Sequence, residues 1–232
     1  MAPVTLITGG STGIGAETAR LLLKQGHRVT VTARRADRLA EFAESTGADG
    51  DHLLTVPGDT SDPEHVRQAV DLTVAAWGRL DNVVVNAGFS LPGTLADHAP
   101  EDMRAMVLTN VLGPALVVQA VLPRLKESKG RLVLLGSVAG VRNTPGNLYS
   151  VTKWAVHALA ENTRQMAAPD GIGVTLIAPS VVDTPFWEVR GLNPDAPSMT
   201  AAQVADCIVF ALNQPEGMAV NHLQLRPVGQ VN

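Results

Sequence analysis

A phenol and an amine stand four residues apart in Tyr149-Ser150-Val151-Thr152-Lys153, at the head of an apolar-periodic run. In a helix over 149–168 that spacing puts both side chains on one face, roughly one turn apart. A tyrosine in water has a pKa of about 10 and is a poor base at neutral pH. A neighbouring ammonium favours the phenolate and draws that pKa toward the working range. The pair can therefore give and take the proton of a C–OH/C=O interconversion. A ring packed on a core beside a solvated amine has the same spacing, so the elements around the pair must decide.

Those elements alternate. Val4–Thr8 is a β-branched and apolar run that enters Thr8-Gly9-Gly10-Ser11-Thr12-Gly13-Ile14-Gly15, and a helical pattern follows to Gly26. Strand, glycine turn and helix form the context that holds phosphates, because the backbone comes close and the helix start offers N–H groups with partial positive charge. The spacing is G-x-x-x-G-x-G, neither G-x-G-x-x-G nor a Walker loop. A dinucleotide site and a plain tight turn both fit it.

His27–Thr32 reads as the second strand and runs into Ala33-Arg34-Arg35 without an acid. In a dinucleotide fold this end meets the adenosine ribose, where a carboxylate suits NAD and arginine suits the 2′-phosphate of NADP. The alternative is a solvated helix start with Arg34, Arg35 and Arg38 paired to Asp37 and Glu41. Leu53–Pro57 is a third strand. Asp59 and Thr60 follow it as adenine contacts or as a simple turn, and Asp62-Pro63 opens a helix to Gly78.

Leu80–Val85 is a nearly all-apolar strand, as a parallel strand covered on both faces should be, and it ends in Asn86-Ala87-Gly88. Pro100–Leu125 reads as one long helix interrupted by Asn110 and Pro114. An interior proline frees the carbonyl four residues back, here that of Asn110 itself. Such local conflict marks either a site or a tolerated kink. Arg131–Leu135 leads into Gly136-Ser137, Gly173–Ala178 into Pro179, and Thr200 with Gln203 forms a capping box ahead of a last strand at Asn221–Arg226.

Alternating strands and helices argue for an α/β architecture, a doubly wound parallel sheet with helices on both faces. Ligands collect at the carboxyl ends of such strands. Gly9–Gly15, Arg34, Asp59, Asn86–Gly88, Ser137 and Pro179–Thr184 each follow a predicted strand, so they converge on one edge beside Tyr149 and Lys153.

Bulk properties narrow the partners. The 232 residues carry a formal charge of −4, which argues against a general nucleic-acid binder, and no stretch approaches 18 uninterrupted apolar residues. The single cysteine, Cys207, lies among apolar residues as a small core filler and excludes an internal disulfide. Without repeat or linker, 1–232 reads as one domain, with the Pro/Gly-containing stretch 185–199 as a substrate lid. The expectation is a cytoplasmic protein with a small-molecule substrate, no membrane or nucleic-acid partner and no metal.

Together these motifs resemble the short-chain dehydrogenase/reductase family over essentially the whole chain: T-G-x-x-x-G-x-G at Thr8–Gly15, N-A-G at Asn86–Gly88, Asn110, Ser137 and Y-x-x-x-K at Tyr149–Lys153. The resemblance implies a Rossmann-like sheet of about seven strands and a catalytic set of Asn110, Ser137, Tyr149 and Lys153. It implies a nicotinamide cofactor held by Gly9, Ser11, Thr12, Gly13, Ile14, Gly15, Arg34, Arg35, Asp59, Thr60, Asn86, Ala87, Gly88, Tyr149, Lys153, Pro179, Val182 and Thr184. Arg34 sits where NADP-preferring members carry a basic residue, so NADP(H) is the expected cofactor and NAD(H) the alternative. The implied reaction joins a ketone and a secondary alcohol, with Ser137 binding the oxygen and the Asn110 carbonyl holding a water. An NAD-linked alcohol or 3-hydroxy-acid dehydrogenase and a non-catalytic dinucleotide-binding regulator are the competing readings. A homotetramer or homodimer follows from the resemblance alone. One departure is Ser180, where members usually have glycine after the sixth strand.

In the pocket so implied, Phe89, Ser90 and Val138 form the floor, 141–148 one wall, and Phe186 and Trp187 favour an apolar or aromatic ligand. Arg142 and Arg190 are either carboxylate binders or solvated charges.

Overall fold

A strand that is apolar at every position must be covered on both faces, and Val4–Thr8 is fully buried along its length. The computed structural model describes residues 2–187 and 197–230. Its strands are β1 (Val4–Thr8), β2 (Arg28–Ala33), β3 (Leu53–Pro57), β4 (Asn82–Val85), β5 (Arg131–Leu135), β6 (Gly173–Pro179), β7 (Val182–Asp183), β8 (Met199–Thr200) and β9 (His222–Leu225). Between them run α1 (Gly13–Lys24), α2 (Ala36–Thr46), α3 (Pro63–Trp77), α4 (Pro100–Val107), α5 (Gly113–Ser128), α6 (Leu148–Ala167) and α7 (Ala201–Leu212).

Seven strands form one parallel sheet in the order β3-β2-β1-β4-β5-β6-β9. Side chains alternate across it. Leu6, Val83, Val85, Leu132 and Leu134 point to the layer of α3, α5 and α6, whereas Ile7, Val84, Val133 and Leu135 point to α1, α2 and α7. The chain winds outward from β1 to β3, then returns to lay β4 on the other side of β1, so β1 and β4 flank the switch point.

The expected helix over 100–125 is instead two helices joined by a π-helical turn, Leu108–Leu112. Pro114 is the physical reason. It has no N–H to return to Asn110, and the Gly113 N–H bonds five residues back to Leu108 O. The widened turn places Pro114 in the first turn of α5, where the missing donor costs little. Pro123, which the sequence reading passed over, does sit inside α5, a defect of about 3 kcal/mol. Burial of Val117, Val121 and Leu125, at about 1.5–3 kcal/mol each, outweighs it. By length and mean hydropathy the stretch Pro100–Ser128 is apolar enough to cross a bilayer, contrary to the uninterrupted-run criterion. Here its apolar face belongs to the core under the sheet.

Smaller differences concern edges. Leu80 is buried but lies before β4, and the two-residue parallel pair β7–β8 was not expected. Cys207 is half-buried on the flank of α7 rather than inside the core.

The switch point is tied by one hydroxyl. Thr8 Oγ1 accepts from the backbone N–H of Asn86 (3.1 Å) and of Ala87 (3.2 Å), while Asn86 Nδ2 donates to Thr8 O (3.0 Å) and Gly9 O (2.8 Å). Thr8→Val keeps the shape and strands both N–H groups. The expected loss is about 1–3 kcal/mol, a fall in Tm on the order of 5 °C. An unchanged melting curve would show that this hydroxyl does not hold β1 to β4.

Candidate active site

One cleft of about 870 Å³ opens along the carboxyl ends of the strands. Its first wall is the β1–α1 turn. Gly9 (φ +65°) is required here because a Cβ would lie 2.8 Å from Ala87 Cα, and a Cβ on Gly15 would lie 2.5 Å from Gly9 O. The turn and the end of β4 are thus pressed together. Gly9, Ser11, Thr12, Gly13 and Ile14 line the cleft, whereas Gly15 does not and serves packing.

The N-terminus of α1 faces this cleft. Thr12 makes no side-chain cap and the first turn holds no acid. Helices α2 and α4 are also uncapped but carry acids in their first turns, α5 continues from the π turn, and α3, α6 and α7 are capped by Asp62, Asn147 and Thr200. A helix start left open in this way, with N–H groups free of intrahelical partners, suits an anion such as a pyrophosphate.

Arg34 and Arg35 line the far end. Among the described residues, Arg38 alone of the three arginines in the solvated-start reading finds an acid, Glu41 at 3.0 Å. The Arg34 guanidinium lies 5.8 Å above the centre of the Phe89 ring. Asp59 lines the cleft and also closes its own turn, with Oδ1 accepting from Ser61 N and Oγ, both at 2.8 Å. Thr60 Oγ1 is buried with no hydrogen-bond partner among the described residues. Asn86, Ala87, Gly88, Pro179, Val182 and Thr184 complete the predicted lining.

Tyr149, Lys153 and Ser137 line the same cleft. Lys153 is only 6% exposed; its Nζ donates to Leu135 O at 2.7 Å and lies 5.7 Å from the centre of the Tyr149 ring. Burial pulls the ammonium down to about 8. Ser137 Oγ accepts from Ala139 N at 3.1 Å. Its own hydrogen has no acceptor among the described residues, so it is free to donate into the cleft.

Asn110 is not among the lining residues but stands just behind them, since a Cβ on Gly88 would lie 3.2 Å from its Oδ1 and 3.8 Å from Lys153 Nζ. It is buried, and its side chain clamps Phe89 through Phe89 N to Oδ1 (3.0 Å) and Nδ2 to Phe89 O (2.8 Å), with a further bond to Thr152 Oγ1 (3.1 Å). Phe89, Ser90, Val138, Phe186 and Trp187 line the cleft as expected, joined by Leu91. Of the 141–148 wall only Asn147 does so; Arg142 is exposed and off the cleft. Arg190 and most of the 185–199 lid lie outside the described residues.

The glycine turn, the uncapped helix and the basic far end fit a dinucleotide lying across the switch point. The family model described as short chain dehydrogenase matches residues 3–194. The chain belongs to the short-chain dehydrogenase family. An uncharacterized oxidoreductase of Staphylococcus epidermidis is 34% identical over 227 residues, which cover 97% of each chain. Among solved structures, the alcohol dehydrogenase of the archaeon Thermococcus sibiricus complexed with 5-hydroxy-NADP superposes with a TM-score of 0.89 at 28% identity, over 99% of this chain and 98% of that one. The closed form of a serine dehydrogenase complexed with NADP+ superposes with a TM-score of 0.91 at 28% identity, over 99% and 96%. This dehydrogenase is accordingly an oxidoreductase with a nicotinamide dinucleotide cofactor.

Sequence reading missed His157, one helical turn beyond Lys153. Its Nε2 lies 3.0 Å from Ser137 O. A lone histidine in a helix gives no local signal, but its spacing from Tyr149 and Lys153, eight and four residues, places it on their face.

The buried ammonium makes a stability prediction. In the folded chain Lys153 deprotonates near 8, below its ordinary value of 10.5. Between those values the unfolded chain binds more protons, so the penalty of burial is complete below pH 8 and is relieved as pH rises. The Tm of the wild type relative to Lys153→Met should climb by several degrees between about pH 8 and pH 10. A difference that stays constant over that range contradicts a buried charged amine.

Proposed function

We propose that the chain is an NADP(H)-dependent reductase that interconverts an uncharged ketone and its secondary alcohol. The observation that supports this reading is that Tyr149, Lys153 and Ser137, whose hydroxyl hydrogen has no acceptor among the described residues, line one cleft with the uncapped start of α1. When bound, the nicotinamide supplies hydride to the carbonyl carbon or takes it from the alcohol.

Negative charge then develops on the substrate oxygen. Tyr149 gives that oxygen a proton as general acid and removes it in the reverse direction. Ser137 donates a hydrogen bond to the same oxygen, a role typically worth about 2.7–4 kcal/mol. Lys153, buried beside the phenol ring, favours the phenolate and would also hold the cofactor ribose. Asn110 acts through its main-chain carbonyl, which Pro114 leaves without its helical donor and which can hold the water that returns a proton by way of Lys153. Gly9–Ile14 would hold the pyrophosphate, Asp59, Thr60 and Asn86–Gly88 the adenosine, and Val182 with Thr184 the carboxamide.

Arg34 and Arg35, which pair with no acid among the described residues, favour the 2′-phosphate of NADP. On the substrate side, Leu91, Val138, Phe186 and Trp187 are apolar, and besides Lys153 the described cations of the lining are Arg34, stacked on Phe89, and Arg35. This favours a ketone with an apolar or aromatic body. The likeness to a serine dehydrogenase supports a second reading, a 3-hydroxy acid as substrate. Val107, Leu112, Val151 and Trp154 are exposed on the neighbouring segments α4, the π turn and α6. A homodimer or homotetramer would cover this face, and sedimentation as a 24.3 kDa monomer would count against it.

A panel of aryl ketones and 3-oxo acids, run with both cofactors, tests the function. NADPH should be oxidised faster than NADH, with the aryl ketones ahead, and Arg34→Asp should cancel the cofactor preference. Tyr149→Phe should lower kcat by about 10²–10⁴-fold with cofactor affinity kept. A near-normal Tyr149→Phe rate, or no turnover of any ketone by the wild type, refutes the assignment.

A further inference from the structure

Helix α6 faces the segment between β5 and the helix itself, and three of its side chains bond to main-chain carbonyls there. Lys153 reaches Leu135 O (2.7 Å), His157 reaches Ser137 O (3.0 Å), and Ser150 Oγ lies 2.7 Å from Ala139 O and 2.9 Å from Arg142 O. The middle bond falls on the residue whose hydroxyl is free to donate into the cleft.

The sequence makes room for that imidazole. A Cβ on Gly136 would lie 2.6 Å from His157 Nε2, and one on Gly140 would lie 2.5 Å from His157 Cδ2. The ring therefore fills a slot that only glycine leaves open, on either side of Ser137. Ser137 O also accepts from Gly140 N at 2.9 Å, closing a short 3₁₀ turn, Val138–Gly140. The His222 ring from β9 stands edge-on at 5.7 Å and closes the other side. Ser137 N approaches Nε2 at 3.5 Å, but the shorter contact is to an obligate acceptor, so the proton belongs on Nε2. Burial keeps the imidazole below its ordinary pKa and hence neutral at pH 7.

We infer that His157 is a positioning residue for the reaction: its Nε2–H fixes the Ser137 carbonyl, and through that peptide the direction of the Ser137 hydroxyl. The inference deepens the functional reading above and rests on it for the role of Ser137. His157 is not itself among the residues that line the cleft; it stands behind Ser137. Its action is on geometry, where a displacement of about 1 Å costs on the order of 10²-fold in rate.

Two substitutions separate donation from packing. Glutamine can present an N–H near the position of Nε2, whereas leucine fills the slot without a donor. With NADPH and a ketone that the wild type reduces, His157→Leu should lower kcat by about 10–100-fold and leave the dissociation constant of NADPH unchanged. His157→Gln should return kcat to within about threefold of the wild type on the same argument.

A second readout needs no turnover. Nitrogen-15 spectra of the apo protein should show His157 as the Nε2–H tautomer, and the Gly140 amide should exchange faster in His157→Leu than in His157→Gln. An Nδ1–H tautomer, equal rates in the two variants, or a parallel loss of NADPH affinity overturns the inference. If the wild type reduces no ketone, the functional reading falls, and the tautomer and exchange results still decide whether His157 holds the Ser137 peptide.

Discussion

The structure depends on how a helix is fastened to the strand end beside it. Carbonyls of the segment 135–142 have left the sheet ladder and would need partners wherever water is excluded. Side chains of α6 supply donors at successive turns, from Ser150 through Lys153 to His157. One set of hydrogen bonds thereby satisfies the backbone and fixes where the phenol, the amine and the serine hydroxyl stand relative to one another. Lysine is a costly choice for such a role, since burial disfavours its charge. A buried amine with a lowered pKa that lines a cleft favours the proposed role there.

A second fastening sets the opposite wall. The winding of the sheet reverses between the parallel strands β1 and β4, and side chains bridge the crevice there only where the two backbones come close. Gly9 and Gly15 permit that approach, and Thr8 and Asn86 bond across it. Asn110 extends the same system, clamping the residue after the Asn86–Gly88 stretch and reaching toward α6 through Thr152. The two walls are therefore connected through buried polar contacts, with the sheet as their common base.

Much of this was legible in the sequence because it is written in local periods. Apolar strands of five residues, a capping box at Thr200 and an Asp62-Pro63 helix start all carry their signal within one turn or one strand. The pairing of Tyr149 with Lys153 follows from helical spacing, and the placing of Ser137 and Asn86 near them follows from their position after strands. What escaped was set by contacts between distant segments. Asn110 reads as a frustrated helix residue, and only the fold reveals that its side chain belongs to Phe89. The π turn needed the missing donor of Pro114 to be combined with the neighbouring loop, and β7–β8 is too short to show a period. Arg142 could be placed off the cleft only once the loop before α6 was seen to turn outward. His157 was invisible as one histidine, although the glycines flanking Ser137 are the complementary half of its slot.

On the proposed reading, helix α6 and the segment 135–142 that it holds present the Tyr149 proton donor and the Ser137 hydroxyl beside the reactive end of a dinucleotide. The most direct measurement is a crystal structure of the protein with NADP+ bound. The pyrophosphate should lie at the start of α1 and the nicotinamide beside Tyr149 and Ser137, with the bonds from Lys153 and His157 to Leu135 O and Ser137 O either intact or, for Lys153, shared with the ribose. A nucleotide bound away from the β1–β4 switch point, or a segment 135–142 that detaches from α6 when the cofactor binds, would contradict it.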